Sequence, residues 1–227
     1  MRIGVLGATG PAGKGVAACL AAAGHHVVAG SRDRERAEGV VAELTERWGP
    51  RVETLVAGTN QDSAAAPDLV VIATKWDGAV ATAQTHADAL AGKVVIAMAN
   101  GIERAGRELH AVLPDGGSVS AAVQAAAPKS RVVAAFQHVP AAAFGKLDEP
   151  NDCDVVCCGD DDAARTTVLD LVAGIAGLRA YDGGSLANAL GIEAFAAVLL
   201  SVNLRHKGKG RLRLLGVEPH PFAGGSA

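Results

Sequence analysis

Ile3-Gly4-Val5-Leu6-Gly7-Ala8-Thr9-Gly10-Pro11-Ala12-Gly13-Lys14-Gly15 is the stretch from which the fold can be read. An apolar run enters three glycines spaced by two residues each, Gly7, Gly10 and Gly13, and an alanine-rich amphipathic segment continues to Gly24. The pattern predicts a strand, a tight turn and a helix. A turn without Cβ atoms lets backbone N–H groups approach a pyrophosphate at a helix N-terminus, where aligned peptide dipoles favour an anion. The spacing is G-x-x-G-x-x-G rather than G-x-G-x-x-G, so the residues that follow must carry part of the reading.

They do so at the next strand. His26-Val27-Val28-Ala29-Gly30 ends in Ser31-Arg32-Asp33-Arg34-Glu35-Arg36. In a dinucleotide-binding βαβ unit, the position about twenty residues beyond the glycines meets the adenosine ribose, and an acidic residue there accepts from a free 2′-hydroxyl. Here a hydroxyl and a guanidinium stand instead, with Arg34 and Arg36 one turn further on. Charge-assisted, often bidentate bonds from arginine suit a dianionic phosphate, so the stretch favours NADP(H) over NAD(H), although Asp33 and Glu35 partly neutralise it.

A chain of 227 residues is one large domain or a domain with an appendage. Hydrophobic residues reach 49% while aromatics stand at 3%, so alanine, valine and leucine must fill the core, as in helices packed on a parallel sheet. A net charge of -3 gives no reason to expect nucleic acid or an anionic membrane as partner. No apolar run is read as long enough to span a bilayer, and the N-terminus enters the first strand without a signal peptide, so a cytoplasmic protein is expected. Cys19, Cys153, Cys157 and Cys158 form no C-x-x-C; Cys157 and Cys158 would face opposite sides of a strand, and all four read as small core residues.

Further strands are expected at Arg51–Val56, Asp68–Ala73, Lys93–Met98 and Arg131–Phe136, with helices at Glu35–Trp48, from Thr74-Lys75-Trp76-Asp77 to about Leu90, and at Ser118–Ala127. Alternating strands and helices imply right-handed crossovers and a doubly wound parallel sheet of Rossmann type. Ligands bind at the carboxyl ends of such strands, which gathers Gly7–Gly13, Ser31-Arg32, Thr74-Lys75-Trp76, Ala99-Asn100 and Gln137-His138-Val139 on one edge. His138 is the candidate for a ring contact or proton transfer, but no Ser-His-Asp, Cys-His or metal-ligand pattern accompanies it. Residues 1–150 thus read as a dinucleotide-binding domain, 151–216 as a small α/β domain completing a cleft, and 217–227 as a flexible tail. The apolar stretch Leu186–Val202 suggests a homodimer. The basic run Arg205–Arg213 is a solvated tail or a contact for an acidic ligand.

Gly7–Gly15, Gly30-Ser31-Arg32, Thr74-Lys75-Trp76, Val139-Pro140-Ala141-Ala142, Leu147-Asp148-Glu149, Cys158-Gly159-Asp160-Asp161-Asp162 and Gly177-Leu178-Arg179, in that order, resemble the NADPH:coenzyme F420 oxidoreductases. The resemblance runs to about Gly216. It implies a Rossmann domain with a small C-terminal domain, and a cleft holding NADP(H) and coenzyme F420. Hydride would pass directly from nicotinamide C4 to deazaflavin C5 or back, without a catalytic acid or base. Cofactor-binding residues would be Gly7, Thr9, Gly10, Pro11, Ala12, Gly13, Ser31, Arg32, Arg36, Thr74, Lys75, Trp76, Ala99, Asn100, Gln137, His138 and Val139, with no metal. Thr9, Ser31, Arg32 and Arg36 would hold the 2′-phosphate, and Arg205, Lys207 or Lys209 would attract the anionic deazaflavin tail. Two positions depart from the family pattern. The histidine of a His-Thr-Ile-Pro-like segment is displaced by one in Gln137-His138-Val139-Pro140, turning its side chain to the other face, and Lys75 replaces the proline before Trp76. Atypical short-chain dehydrogenases share Gly-Ala-Thr-Gly, but the only tyrosine, Tyr181, is followed four residues on by Ser185 rather than lysine. An NADP(H)-binding redox sensor, or an NADPH-dependent reductase of another small substrate, remains as the alternative.

Overall fold

A computed structural model describes residues 1–221; residues 222–227 of the expected tail lie outside the described residues. The chain opens with β1 (Arg2–Leu6), α1 (Pro11–Ala22), β2 (His26–Ser31), α2 (Arg34–Trp48), β3 (Leu55–Thr59), α3 (Asn60–Ala64) and β4 (Leu69–Ile72). It continues with α4 (Trp76–Thr85), α5 (Ala87–Leu90), β5 (Val94–Ala97), the hairpin β6 (Ile102–Ala105) and β7 (Glu108–Ala111), α6 (Val119–Ala126), β8 (Arg131–Ala134) and α7 (Ala141–Phe144). Last come β9 (Cys153–Gly159), α8 (Asp162–Ala173), β10 (Leu178–Asp182) and α9 (Ala189–His206).

Eight strands form one sheet in the order β10-β9-β8-β5-β4-β1-β2-β3. From β3 to β8 every neighbouring pair is parallel, and the order reverses between β1 and β4, the switch point at which α/β sheets bind ligands. β9 then pairs antiparallel with β8, and β10 parallel with β9, so residues 151–216 extend the same sheet.

Alternation along the strands sorts side chains onto two faces. Ile3, Val5, Leu69 and Val71 join one core with residues of α1, α2, α7 and α8. Leu6, Val70 and Ile72 join a second core with residues of α3 to α6 and α9. Cys157 and Cys158 fall in different cores, as adjacent strand residues must. Burial pushes the Cys19 and Cys158 thiols up to about 11, which keeps them unreactive as core residues. Gly4 marks a close approach: a Cβ there would lie 1.8 Å from the Ser63 carbonyl oxygen, so α3 seats on β1 only because the side chain is absent.

Four expectations need correction. The third strand starts at Leu55, not Arg51: Pro50 opens a 3-10 turn over Gly49–Val52 that buries Val52, and the polar/apolar alternation there imitates a strand. The helix expected to reach Leu90 ends at Thr85 and restarts at Ala87. The hairpin β6–β7, turning at Gly106, was not anticipated because its mostly exposed, charged residues carry little strand signal. Finally, Leu186–His206 does reach bilayer-spanning length and hydropathy, 21 residues with mean hydropathy 1.6. In the fold this stretch contains α9, which is tied down by a buried carboxylate. Glu193 accepts from the Val119 and Ser120 N–H groups at 2.7 and 3.0 Å and from the Ser120 hydroxyl at 2.7 Å.

Candidate functional site

The glycine turn folds as its residues require. Gly7 sits at φ +82°, and its N–H donates to Asn60 Oδ1 at 3.2 Å. A Cβ on Gly13 would meet the Gly7 carbonyl oxygen at 2.3 Å, so that glycine lets α1 close on the turn. Gly10 differs: its Cβ would meet only the Gly7 oxygen, at an ordinary 3.6 Å. The protein's own packing thus leaves the space over Gly10 open. Pro11 opens α1, and its first turn has neither a side-chain cap nor an acidic residue, which leaves the N-terminal dipole free for an anion.

A cavity of about 710 Å³ lies against this turn. Gly7, Thr9, Gly10, Pro11, Ala12, Ser31, Arg32, Arg36, Thr74 and Lys75 of the expected set line it. Ser31 is buried, and its Oγ accepts from the Asp33 N–H at 3.3 Å, which leaves the hydroxyl proton to donate elsewhere. Asp33 caps α2 by accepting from the Glu35 N–H, so this acid is spent on the helix. Arg34 is also committed, to Asp62 at 2.6 Å. Among the described residues Arg32 and Arg36 make no ion pair, and both line the cavity.

Sequence reasoning missed the opposite wall. Asn60 and the α4 positions Gly78, Ala81, Thr82 and Thr85, followed by His86, complete the cavity. Small residues recurring at helical spacing were the available signal. Trp76 does not line the cavity; it packs on the second core, while its neighbours Lys75 and Asp77 face the space.

Ala99, Asn100, Gln137, His138 and Val139 gather beyond the ends of β5 and β8, outside that cavity. Phe136 takes a left-handed φ of 73° as β8 ends, with its ring edge-on to Phe144 at 5.3 Å. Such strain persists only where packing over-determines it, and it re-aims the two residues that follow. Gln137 Nε2 donates to the Ala97 carbonyl at 2.9 Å, and Asn100 Nδ2 to the Gln137 carbonyl at 3.0 Å. With their amide donors so used, Asn100 Oδ1 and Gln137 Oε1 are buried without a hydrogen-bond partner among the described residues, and so is Thr74 Oγ1. Two amide oxygens and one hydroxyl without partners among the described residues thus stand past the ends of β4, β5 and β8.

His138 faces the other way, as its one-residue displacement implied. Its Nε2 carries the proton and donates to the Ile192 carbonyl at 2.9 Å, and its ring meets Phe195 edge-on at 5.5 Å. Burial lowers its pKa, only partly offset by the bond to Ile192, so the ring is a neutral strut between the β8 end and α9. Val139 and Ala99 pack on the two cores.

The basic run also separates. Arg205 pairs with Glu108 of the hairpin, and Lys207 is the left-handed C-cap of α9. Lys209, Arg211 and Arg213 line a second, open concavity of about 490 Å³ with Asp152 and Leu212.

The family model described as NADP oxidoreductase, coenzyme F420-dependent, matches residues 2–101. The F420-dependent NADP reductase of Methanocaldococcus jannaschii is 35% identical over 214 residues, covering 92% of this chain and 96% of that protein. The protein of the same name from Methanothermobacter marburgensis is 33% identical over 224 residues, 96% of this chain and 97% of its own. Among solved structures, a candidate F420-dependent NADP reductase from Arthrobacter sp. FB24 superposes with a TM-score of 0.76 at 27% identity, covering 92% of this chain and 96% of its own.

Proposed function

The chain belongs to the F420-dependent NADP reductases, and from that premise we propose that it transfers a hydride between NADP(H) and coenzyme F420 in the edge just described. When bound, the two rings supply the chemistry themselves; the protein's part is to hold them in reach of each other and keep water out.

The residues fit the first partner. The uncapped start of α1 suits the pyrophosphate, and Ser31, Arg32 and Arg36 suit the 2′-phosphate. The observation that carries the reading is that Arg32 and Arg36 line the cavity beside Ser31 without an ion pair among the described residues, as a dianionic phosphate requires. His138 would orient the loop beneath the deazaflavin through its bond to Ile192, not shuttle a proton. The alternative of a redox sensor or of another small substrate is not favoured, since the relatives share the reductase name. NADPH deuterated at C4, mixed with F420 and the protein, tests this: deuterium should appear at C5 of the reduced deazaflavin. NADPH binding without label transfer to any deazaflavin would reject the enzyme reading.

Two further readings accompany it. The exposed face of α9, with Phe195, Val198 and Val202 each between 44% and 54% accessible, supports pairing with a second copy of the chain. A monomeric mass in sedimentation equilibrium at micromolar concentration would reject that. Four buried free thiols suit a reducing compartment such as the cytoplasm, which fractionation of cells expressing the protein would test.

A further inference from the structure

Beyond the α9 C-cap the chain turns back and runs along the start of β9. The Asp154 N–H donates to the Leu212 carbonyl at 3.0 Å, Asp154 also accepts from the Leu214 N–H, and Arg211 donates to the Asn151 carbonyl. Lys209, Arg211 and Arg213 line the concavity, and Leu212 between them packs against the first core.

Beneath these cations lies a constrained turn. Asp152 has φ +40°, and Gly177 backs it so closely that a Cβ there would meet the Asn151 and Asp152 nitrogens at 2.6 and 2.8 Å. The turn holds Asp152 where Arg179 and Arg213 reach the same Oδ1, at 2.9 and 3.1 Å. Asp154 is fully buried and occupied by Arg179 and the Leu214 N–H. Four cations thus face two carboxylates, one of them inaccessible, around an open concavity. The segment bearing Asp152 leads into β9, whose first residue, Cys153, brings its Sγ within 3.7 Å of the His138 carbonyl oxygen beyond the end of β8.

We propose that the concavity formed by Asp152, Lys209, Arg211 and Arg213 is a subsite for the anionic tail of the deazaflavin, its phosphodiester and glutamate carboxylates. This rests on F420 being the second substrate. Arg205, committed to Glu108, is not part of it. Asp152 acts as a built-in counter-ion that the tail displaces from Arg213.

Equilibrium binding, read by quenching of deazaflavin fluorescence, tests the subsite without turnover. Three ligands are compared: F420, a deazaflavin keeping the phosphodiester but lacking the glutamates, and one ending at its ribityl chain. The wild-type protein should bind F420 about tenfold more tightly than the ribityl form, an advantage that shrinks as salt rises. Lys209→Gln with Arg213→Gln should remove about five- to tenfold of that advantage. Asp152→Asn removes the competing charge, and asparagine tolerates the left-handed turn, so F420 should bind about two- to fivefold more tightly. The intermediate ligand assigns the gain to phosphate or to glutamate, either of which supports the subsite. Equal wild-type affinity for F420 and the ribityl form would overturn the inference while reduction of both with NADPH upholds the function. The same holds if the double variant weakens all three ligands alike, which marks a structural role. A wild-type protein that binds no deazaflavin refutes the substrate assignment and the subsite together.

Discussion

Three arginines within five residues make the NADP preference separable. Arg32 and Arg36 line the cavity without an ion pair among the described residues, whereas Arg34 bonds Asp62 at 2.6 Å and the Ala57 carbonyl at 3.4 Å. A hydrogen bond to a charged group contributes about 1.5–3 kcal/mol, and each 1.4 kcal/mol is tenfold in affinity. Arg32→Ala should therefore weaken NADPH binding by about 10- to 150-fold, and NADH, lacking the 2′-phosphate, by less than about threefold. Arg34→Ala is the internal control. Its guanidinium holds α2 against the β3–α3 corner, so its loss should leave the NADPH/NADH ratio within about twofold of wild type, its surface pair contributing little even to stability. Calorimetric titration of both nucleotides at fixed ionic strength gives the four ratios. Parallel losses for NADPH and NADH in Arg32→Ala would refute the phosphate reading. An Arg34→Ala variant that loses discrimination as Arg32→Ala does would refute the assignment of roles.

The two later glycines of the turn should behave differently. Gly10→Ala has room, so its melting temperature should stay within a few degrees while NADPH affinity falls at least tenfold; Gly13→Ala clashes with the Gly7 carbonyl and should cost about 1–3 kcal/mol in urea unfolding. Glu193→Ala leaves two buried N–H groups unpaired at the start of α6 and should cost about 2–4 kcal/mol in the same assay, with Glu193→Gln recovering part of it. His138 titrates lower in the fold than its ordinary 6.5, so below pH 6.5 the unfolded chain binds a proton the native state refuses, and stability present above that pH is lost on acidification. His138→Gln, which keeps a donor for Ile192, should flatten the stability–pH slope between pH 6.5 and 5 by up to about 1.4 kcal/mol per pH unit, His25 and His86 supplying the remainder; an unchanged slope would contradict a neutral buried ring.

The parallel α/β class, the glycine turn and the cationic end of β2 were legible because each rests on local signals: apolar runs alternating with helix patterns, a three-residue spacing, a charge cluster within one turn. What escaped reading depends on contacts distant in sequence. Nothing around Asn60 announces that its Oδ1 accepts from Gly7, since the two meet only after β3 has been laid beside β2. Of Lys75 and Trp76, both expected at the ligand, only Lys75 lines the cavity, because the phase of a helix start, which decides the residue facing the space, varies with the cap. His138 shows the reverse case. Its displacement by one position was visible in the sequence, and the structure supplies the consequence: Gln137 bonds to β5 and His138 to α9.

The antiparallel step between β8 and β9 accounts for the most consequential of these long-range arrangements. Had β9 continued parallel to β8, its first residues would lie at the opposite edge of the sheet, away from every ligand-binding loop. Reversed, β9 begins beside the end of β8, so Cys153 reaches the His138 carbonyl and Asp152 stands at the same edge of the sheet. α9 then runs past the same edge, bonded to His138 and Glu193's partners on one side and to the hairpin through Ser201 and Leu109 on the other. The segment after its C-cap returns over the start of β9. Under the proposed function this stretch serves as the wall for the second ligand. A direct hydride transfer requires that of its protein: two rings held within about 3–3.5 Å and water kept from between them.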